Sequence, residues 1–214
     1  MSEIVLVRHG QANSHATNEA DYDRLSPLGH EQSRWLGAWL REHELPFDRC
    51  LSGTLRRHRE TADGLGETHV ERDPRLNELD YFQLGRALHD VHGVPVPDPG
   101  GFAQHAPQVM RAWHAAEIEG AETFESFESR VRDALADISE MGGRSLVVTS
   151  GGVIAMAMRL VLDLDATRFA RMLLPIRNSS IHRLHMLDGV MIVAAFNATP
   201  HLDPHHRADA RTHS

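Results

Sequence analysis

Three short apolar runs in this chain each stop at a small polar turn. That repeated junction is what most limits the folds open to it. Ile4-Val5-Leu6-Val7 runs into Arg8-His9-Gly10-Gln11, and Cys50-Leu51 runs into Ser52-Gly53-Thr54-Leu55-Arg56-Arg57. Leu146-Val147-Val148 runs into Thr149-Ser150-Gly151-Gly152. Short aliphatic runs bounded by glycine read as buried strands. Strands that alternate with helical segments belong to an α/β sheet whose strands are mostly parallel.

The helical segments announce themselves by their own chemistry. Ser26-Pro27 offers an N-cap and a first-turn proline ahead of Leu28, Trp35, Leu36, Trp39 and Leu40. A second helix is expected from about Thr54 to Leu65, ending at Gly66. A third runs from Thr123 to Met141, with Phe124, Phe127, Val131, Leu135 and Ile138 on one side. Val153–Leu162 and Ala166–Leu174 complete the set. Two late strands, Ser180–Leu187 and Val190–Phe196, flank Asp188-Gly189, a hairpin turn. The expected architecture is a three-layer α/β/α sandwich with a mostly parallel central sheet. Residues 1–199 form its single domain. A poorly periodic, Pro/Gly-rich stretch of about 85–120 reads as an insertion or lid, and Arg75–Gly85 reads as irregular. The polar, His-rich tail 200–214 reads as loose.

Composition removes several function classes. The formal net charge of −8 argues against a general nucleic-acid binder. All 22 basic residues are Arg, so a Schiff-base lysine and the lysine of a Walker phosphate loop are both excluded. Arg is left as the permanent cation, and its planar fork suits phosphate oxygens. The single cysteine, Cys50, cannot form an internal disulfide. The first apolar run is cut by Arg8, too early for a leader, and no stretch approaches the ~18 apolar residues of a membrane span. A cytoplasmic protein with no membrane contact is expected.

In open α/β sheets, ligands sit beyond the carboxyl ends of the strands. If the three strands are neighbours, Arg8, His9, Arg57 and Ser150 share one crevice. The helix N-termini after Gly53 and Gly152 add backbone N–H groups and a dipole that favours an anion. A phosphate or similar oxyanion is the expected ligand.

The ordered set of motifs resembles the histidine phosphatase superfamily, which includes cofactor-dependent phosphoglycerate mutases and acid phosphatases. Arg8-His9-Gly10 followed by Gln11 matches that family's first motif, and Ser52, Leu55, Arg57, Thr61 and Ala62 match its second. Leu25–Gln32 resembles the start of its first helix, and Asn178-Ser179-Ser180 the segment before its late strands. Leu76-Asn77-Glu78-Leu79 resembles the segment that carries its acidic proton donor.

The resemblance implies a phosphoglycerate mutase-like fold and a phosphomonoesterase. His9 would be the nucleophile that becomes a phosphohistidine, and Arg8 and Arg57 the clamp on the phosphoryl oxygens. Glu78 would protonate the leaving group, with Asp80 as the alternative. The same chemistry implies no metal and no organic cofactor, and a small phosphorylated substrate or a phosphoprotein as partner. One departure stands out. The family's fourth motif, Ser-His-Gly-Gly, is here Thr149-Ser150-Gly151-Gly152, so Ser150 takes the place of a second histidine. Trading a charge-assisted bond for a neutral one costs about 1–3 kcal/mol, or roughly 5- to 150-fold in rate. His15, in the loop after the first motif, is a candidate to replace the lost group, with Gln11 and Gly151 as further pocket residues. Ser150→His is expected to raise the rate of an impaired enzyme. The alternative class is a non-catalytic phosphate-binding or regulatory protein of the same fold, and a phosphoglycerate-type mutase is the third reading.

Overall fold

The computed structural model describes residues 2–98 and 100–213, and for His206 the backbone alone. Its strands and helices alternate as the sequence suggests. In chain order they are β1 (Ser2–Arg8), α1 (Glu19–Tyr22), α2 (Pro27–His43), β2 (Arg49–Ser52), α3 (Arg56–Leu65) and β3 (Val70–Arg72). There follow α4 (Tyr81–His92), α5 (Phe102–His114), α6 (Phe124–Glu140), β4 (Gly143–Thr149), α7 (Gly151–Leu162) and α8 (Ala166–Leu173). The hairpin β5 (Ile181–Leu187) and β6 (Val190–Ala198) closes the sheet.

The six strands lie in the order β3-β2-β4-β1-β5-β6. β1, β4, β2 and β3 run parallel, and β5 lies antiparallel to both β1 and β6. Alternation along β1 builds the layers, because neighbouring strand residues face opposite sides. Ile4 and Leu6 enter a core under α6 and α7, while Val5 and Val7 pack with Leu36, Leu40, Ala62 and Leu65 of α2 and α3.

Local chemistry explains the element ends. Ser26 Oγ accepts from Gly29 N at 3.0 Å, with Pro27 at the first helical position of α2. Thr123 Oγ1 accepts from Ser126 N at 3.1 Å and starts α6. At the hairpin, Asp188 and Gly189 both take positive φ, 50° and 81°, the pairing a tight hairpin turn requires.

Three stretches differ from expectation. Residues 85–120 hold most of α4 and all of α5, and Leu84, Leu88, Val109, Met110 and Trp113 lie in the main core. Arg75–Gly85 contains the end of a 3-10 turn, Pro74–Leu76, and the start of α4. The tail is folded: it forms 3-10 segments at Pro200–Leu202 and His205–Ala210, with His201, Leu202 and Ala210 buried. Polar anchors do this work rather than an apolar pattern. Gln32 Nε2 donates to the Ala210 carbonyl at 2.7 Å, and Asn178 N donates to the Thr212 carbonyl at 2.9 Å. Among the described residues, no helix is long and apolar enough to cross a membrane.

One close approach holds the site end of the sheet in place. α2 meets the loop after β1 backbone to backbone, and a Cβ on Gly10 would collide with the Gly29 carbonyl. Gly10→Ala is therefore expected to destabilise the fold by about 1–3 kcal/mol through overpacking. Urea unfolding measures it, and an unchanged midpoint would contradict the contact.

Candidate active site

The register of the sheet brings the three junctions together. Arg8 pairs with Thr149 at the ends of β1 and β4, and Ser52 pairs with Val148 across β2 and β4. His9 N donates to the Thr149 carbonyl at 2.9 Å, and Gly53 N donates to the Val148 carbonyl at 3.1 Å. The turns that carry His9, Gly53 and Ser150 thus lie side by side at the carboxyl end of the parallel strands.

His9 is buried, and its Nδ1 lies 2.7 Å from the Gly10 carbonyl. A carbonyl can only accept, so Nδ1 carries the proton and Nε2 keeps its lone pair. Burial, reinforced by Arg57, Arg8 and His58, holds the imidazole well below its usual 6.5. The ring is held neutral, with the lone pair on Nε2.

Arg57 occupies the first turn of α3 and is fully buried. Its Nη1 donates to Glu19 at 2.6 Å and to Asp23 at 3.1 Å. Its guanidinium stands over the Tyr22 ring, 5.0 Å from the centroid. Nε and Nη2 are buried without a partner among the described residues. Asp23 also caps α3 from outside the helix, accepting from Arg56 N and Arg57 N at 2.9 and 3.1 Å. This replaces the side-chain cap that Leu55 cannot supply. Burial and the negative charges of Glu78 and Asp80 raise the Glu19 carboxyl, and Arg57 partly offsets them.

Arg8, like Arg57, is tethered through one nitrogen. Its Nη1 donates to the carbonyls of Ile176 and His213, at 2.5 and 2.7 Å. Its Nε is buried without a partner among the described residues and lies on the Gly151 side of the group. Glu78 stands at the start of α7, accepting from Gly152 N at 3.0 Å through Oε2. Asp80 is occupied as the cap of α4, accepting from Gln83 N at 2.9 Å. Gln11 is a brace: its side chain accepts from Ser26 Oγ at 2.7 Å, and its N–H donates to Gln32. His15 is exposed and lines a surface cavity with Arg24 and Arg56.

The residue beside Ser150 is one that no motif marks. His58 is fully buried, its Nε2 lies 2.5 Å from Ser150 Oγ, and its ring centroid lies 5.7 Å from that of His9. Position 150 is therefore not open space for an imidazole. His58 occupies an unspecified position of the second motif, directly after Arg57, which is why the motif did not draw attention to it. Glu19, Tyr22 and Asp23 carry no motif signal either. They come from a polar loop with no periodic signal.

Two further histidines give the fold a pH dependence. His182 accompanies Ser180 at 2.9 Å, and His201 accompanies Ser179 at 2.8 Å. Burial, with a nearby Arg in each case, pushes both down to about 3. Their folded-state pKa lies below the unfolded value, so the unfolded chain binds protons first and stability falls as pH drops below about 6.5. Each contributes a loss of about 1.4 kcal/mol per pH unit until its folded pKa is reached. Urea midpoints from about pH 7 to about pH 4 should decline steadily, and a flat profile would contradict the assignment.

Buried His9 and Arg57, whose Nε and Nη2 have no partner among the described residues, stand together at the carboxyl end of the parallel strands, the end at which open α/β sheets hold their ligands. The chain belongs to branch 1 of the histidine phosphatase superfamily, whose sequence profile matches residues 4–199. Over 204 residues it is 28% identical to a probable phosphoglycerate mutase of Salmonella choleraesuis, spanning 92% of this chain and 90% of that one. Solved structures share the phosphoglycerate mutase-like fold. A mutant phosphoserine phosphatase from Entamoeba histolytica, in complex with phosphoserine, has a TM-score of 0.71 at 17% identity, covering 94% of this chain and 100% of its own. A phosphoglycerate mutase from Bacillus anthracis has a TM-score of 0.69 at 21% identity, covering 94% of each chain.

Proposed function

We propose that this protein is a phosphatase that hydrolyses phosphomonoesters through a phosphohistidine at His9. The observation that carries the reading is the Nδ1–H bond to the Gly10 carbonyl, which leaves Nε2 as a lone pair beside the unpartnered donors of Arg57. In the first step Nε2 attacks phosphorus, the P–O ester bond breaks, and the leaving oxygen takes a proton from the Glu78 carboxyl. Arg57 offsets the charge on the phosphoryl oxygens. In the second step water attacks phosphorus and gives its proton to Glu78. The P–N bond breaks, its electron pair returns to Nε2, and inorganic phosphate leaves. The Gly10 carbonyl supports the positive imidazole of the intermediate throughout.

Residues Glu19 and Asp23 favour a second reading. Both hold Arg57 Nη1, as they would in a protein that binds phosphate without turning it over. Phosphate release from a panel of small phosphomonoesters and a phosphopeptide, with His9→Ala in parallel, separates the two. Turnover that depends on His9 supports the phosphatase. Tight phosphate binding with no turnover from any substrate supports the binding protein.

A further inference from the structure

We propose that His58 is a positioning residue of this site: its Nε2–H fixes Ser150 Oγ so that the hydroxyl proton is donated to a phosphoryl oxygen held at His9. The inference rests on the phosphatase reading. It also gives the missing second histidine a physical replacement, an imidazole supplied from α3 and acting through the serine.

Four observations lead there. Ser150 stands at the N-cap of α7 yet makes no side-chain cap bond, so its hydroxyl is not spent on its own helix. Its Oγ instead lies 2.5 Å from His58 Nε2. Space has been made for that ring: a Cβ on Gly53 would overlap His58 Nδ1 and Cε1. Both rings are buried, 5.7 Å apart between centroids, so the His58–Ser150 pair borders the same crevice as the nucleophile.

The direction of the bond follows from the other ring nitrogen. Nδ1 is buried with no partner among the described residues. If Ser150 donated to Nε2, Nδ1 would carry an N–H with no acceptor, a costly orphan donor. If Nε2–H donates to Ser150 Oγ, only a lone pair at Nδ1 goes unpaired. The second arrangement leaves the serine hydroxyl proton as the free donor of the pair. Burial and Arg57 keep His58 neutral by pushing its pKa well below 6.5, so the pair offers a neutral donor.

The geometry makes a prediction opposite to the simple repair. An imidazole introduced at position 150 alone would compete with His58 for one volume, so Ser150→His should lower activity. Emptying position 58 first should change that. The test is a cycle of His58→Ala, Ser150→His and the double variant. kcat and KM are measured on a small phosphomonoester, and orthovanadate affinity is measured by titration calorimetry.

His58→Ala is expected to lower kcat/KM by about 10- to 100-fold, the range for losing an outer partner that orients a working group. The loss should fall mainly in kcat. His58→Gln, whose amide can still donate to Ser150 Oγ, should retain more activity than His58→Ala. The double variant should recover to within about tenfold of the wild type. Two results would overturn the proposal: His58→Ala within about twofold of wild type, or single losses that simply multiply in the double variant. The vanadate titrations carry the same comparison if turnover is slow. His9→Ala keeps the two claims apart. If it turns over like the wild type, the phosphohistidine reading fails. If it is inactive while His58→Ala is not impaired, only the role of His58 fails.

Discussion

His9→Ala should lose phosphate release by roughly 10⁴-fold or more in kcat/KM, the scale on which removing a covalent nucleophile acts. The reason is local. Nε2 is the only protein atom in the proposed sequence that bonds to phosphorus, and no neighbour can take its place. His58 Nε2 is engaged by Ser150 and its Nδ1 is packed against Gly53, while the Arg57 guanidinium has no nucleophilic lone pair. The same substitution should spare phosphate binding in large part, because the Arg57 donors remain. It frees the Gly10 carbonyl from its Nδ1 bond, so a stability loss of about 1–3 kcal/mol is expected. Steady-state assays beside phosphate titrations show the split between chemistry and binding. Near-normal turnover in His9→Ala would remove the mechanism.

Arg57→Ala should be the next most damaging change, and it should act on binding as well as rate. The expected loss is about 10²- to 10³-fold in kcat/KM, the range for deleting one donor aimed at transition-state charge. It also leaves Glu19 and Asp23 without their cation. Breaking a fully buried pair costs about 3–5 kcal/mol. These carboxylates are 29% and 22% exposed and can turn towards water, so a loss of about 1–3 kcal/mol is the better expectation. Arg57→Lys restores a charge but not the fork that meets Glu19, Asp23 and an oxyanion together. It should therefore fall between wild type and Arg57→Ala in both assays. A lysine variant equal to wild type would mean that charge alone matters here.

Much of the fold could be read from the chain because its signals are local. The strand-to-turn junctions at Val7, Leu51 and Val148, the Ser26-Pro27 and Thr123 helix starts and the Asp188-Gly189 turn each depend on a few adjacent residues. The helices in 85–120 were hidden for an equally local reason. α5 carries Pro107 in its interior, and much of its buried face is small or polar, including Ala106, Ala112 and His105. The tail was hidden because Gln32, Asn178 and Arg8 anchor its backbone carbonyls, and those partners lie far away in sequence.

The site divides in the same way. The convergence of His9, Arg57 and Ser150 followed from strand adjacency. Arg8's turn towards the Ile176 and His213 carbonyls did not, because it depends on where the tail packs. Ser150 was visible as a substitution. That an imidazole from the neighbouring motif stands against it depends on the approach of α3 to α7, which no single motif encodes. The relation between Gly53 and His58 is the nearest thing to a sequence signal, since each is shaped to admit the other.

The central claim is that His9 carries the phosphoryl group. The most direct measurement is rapid quenching of the enzyme during turnover of a small phosphomonoester, followed by peptide mass spectrometry under conditions that preserve acid-labile phosphoramidates. The account predicts one phosphoryl group on the peptide containing His9, absent in His9→Ala and lost on acid treatment. Turnover with no phosphoryl group on that peptide, or with an acid-stable one at Ser150, would contradict it.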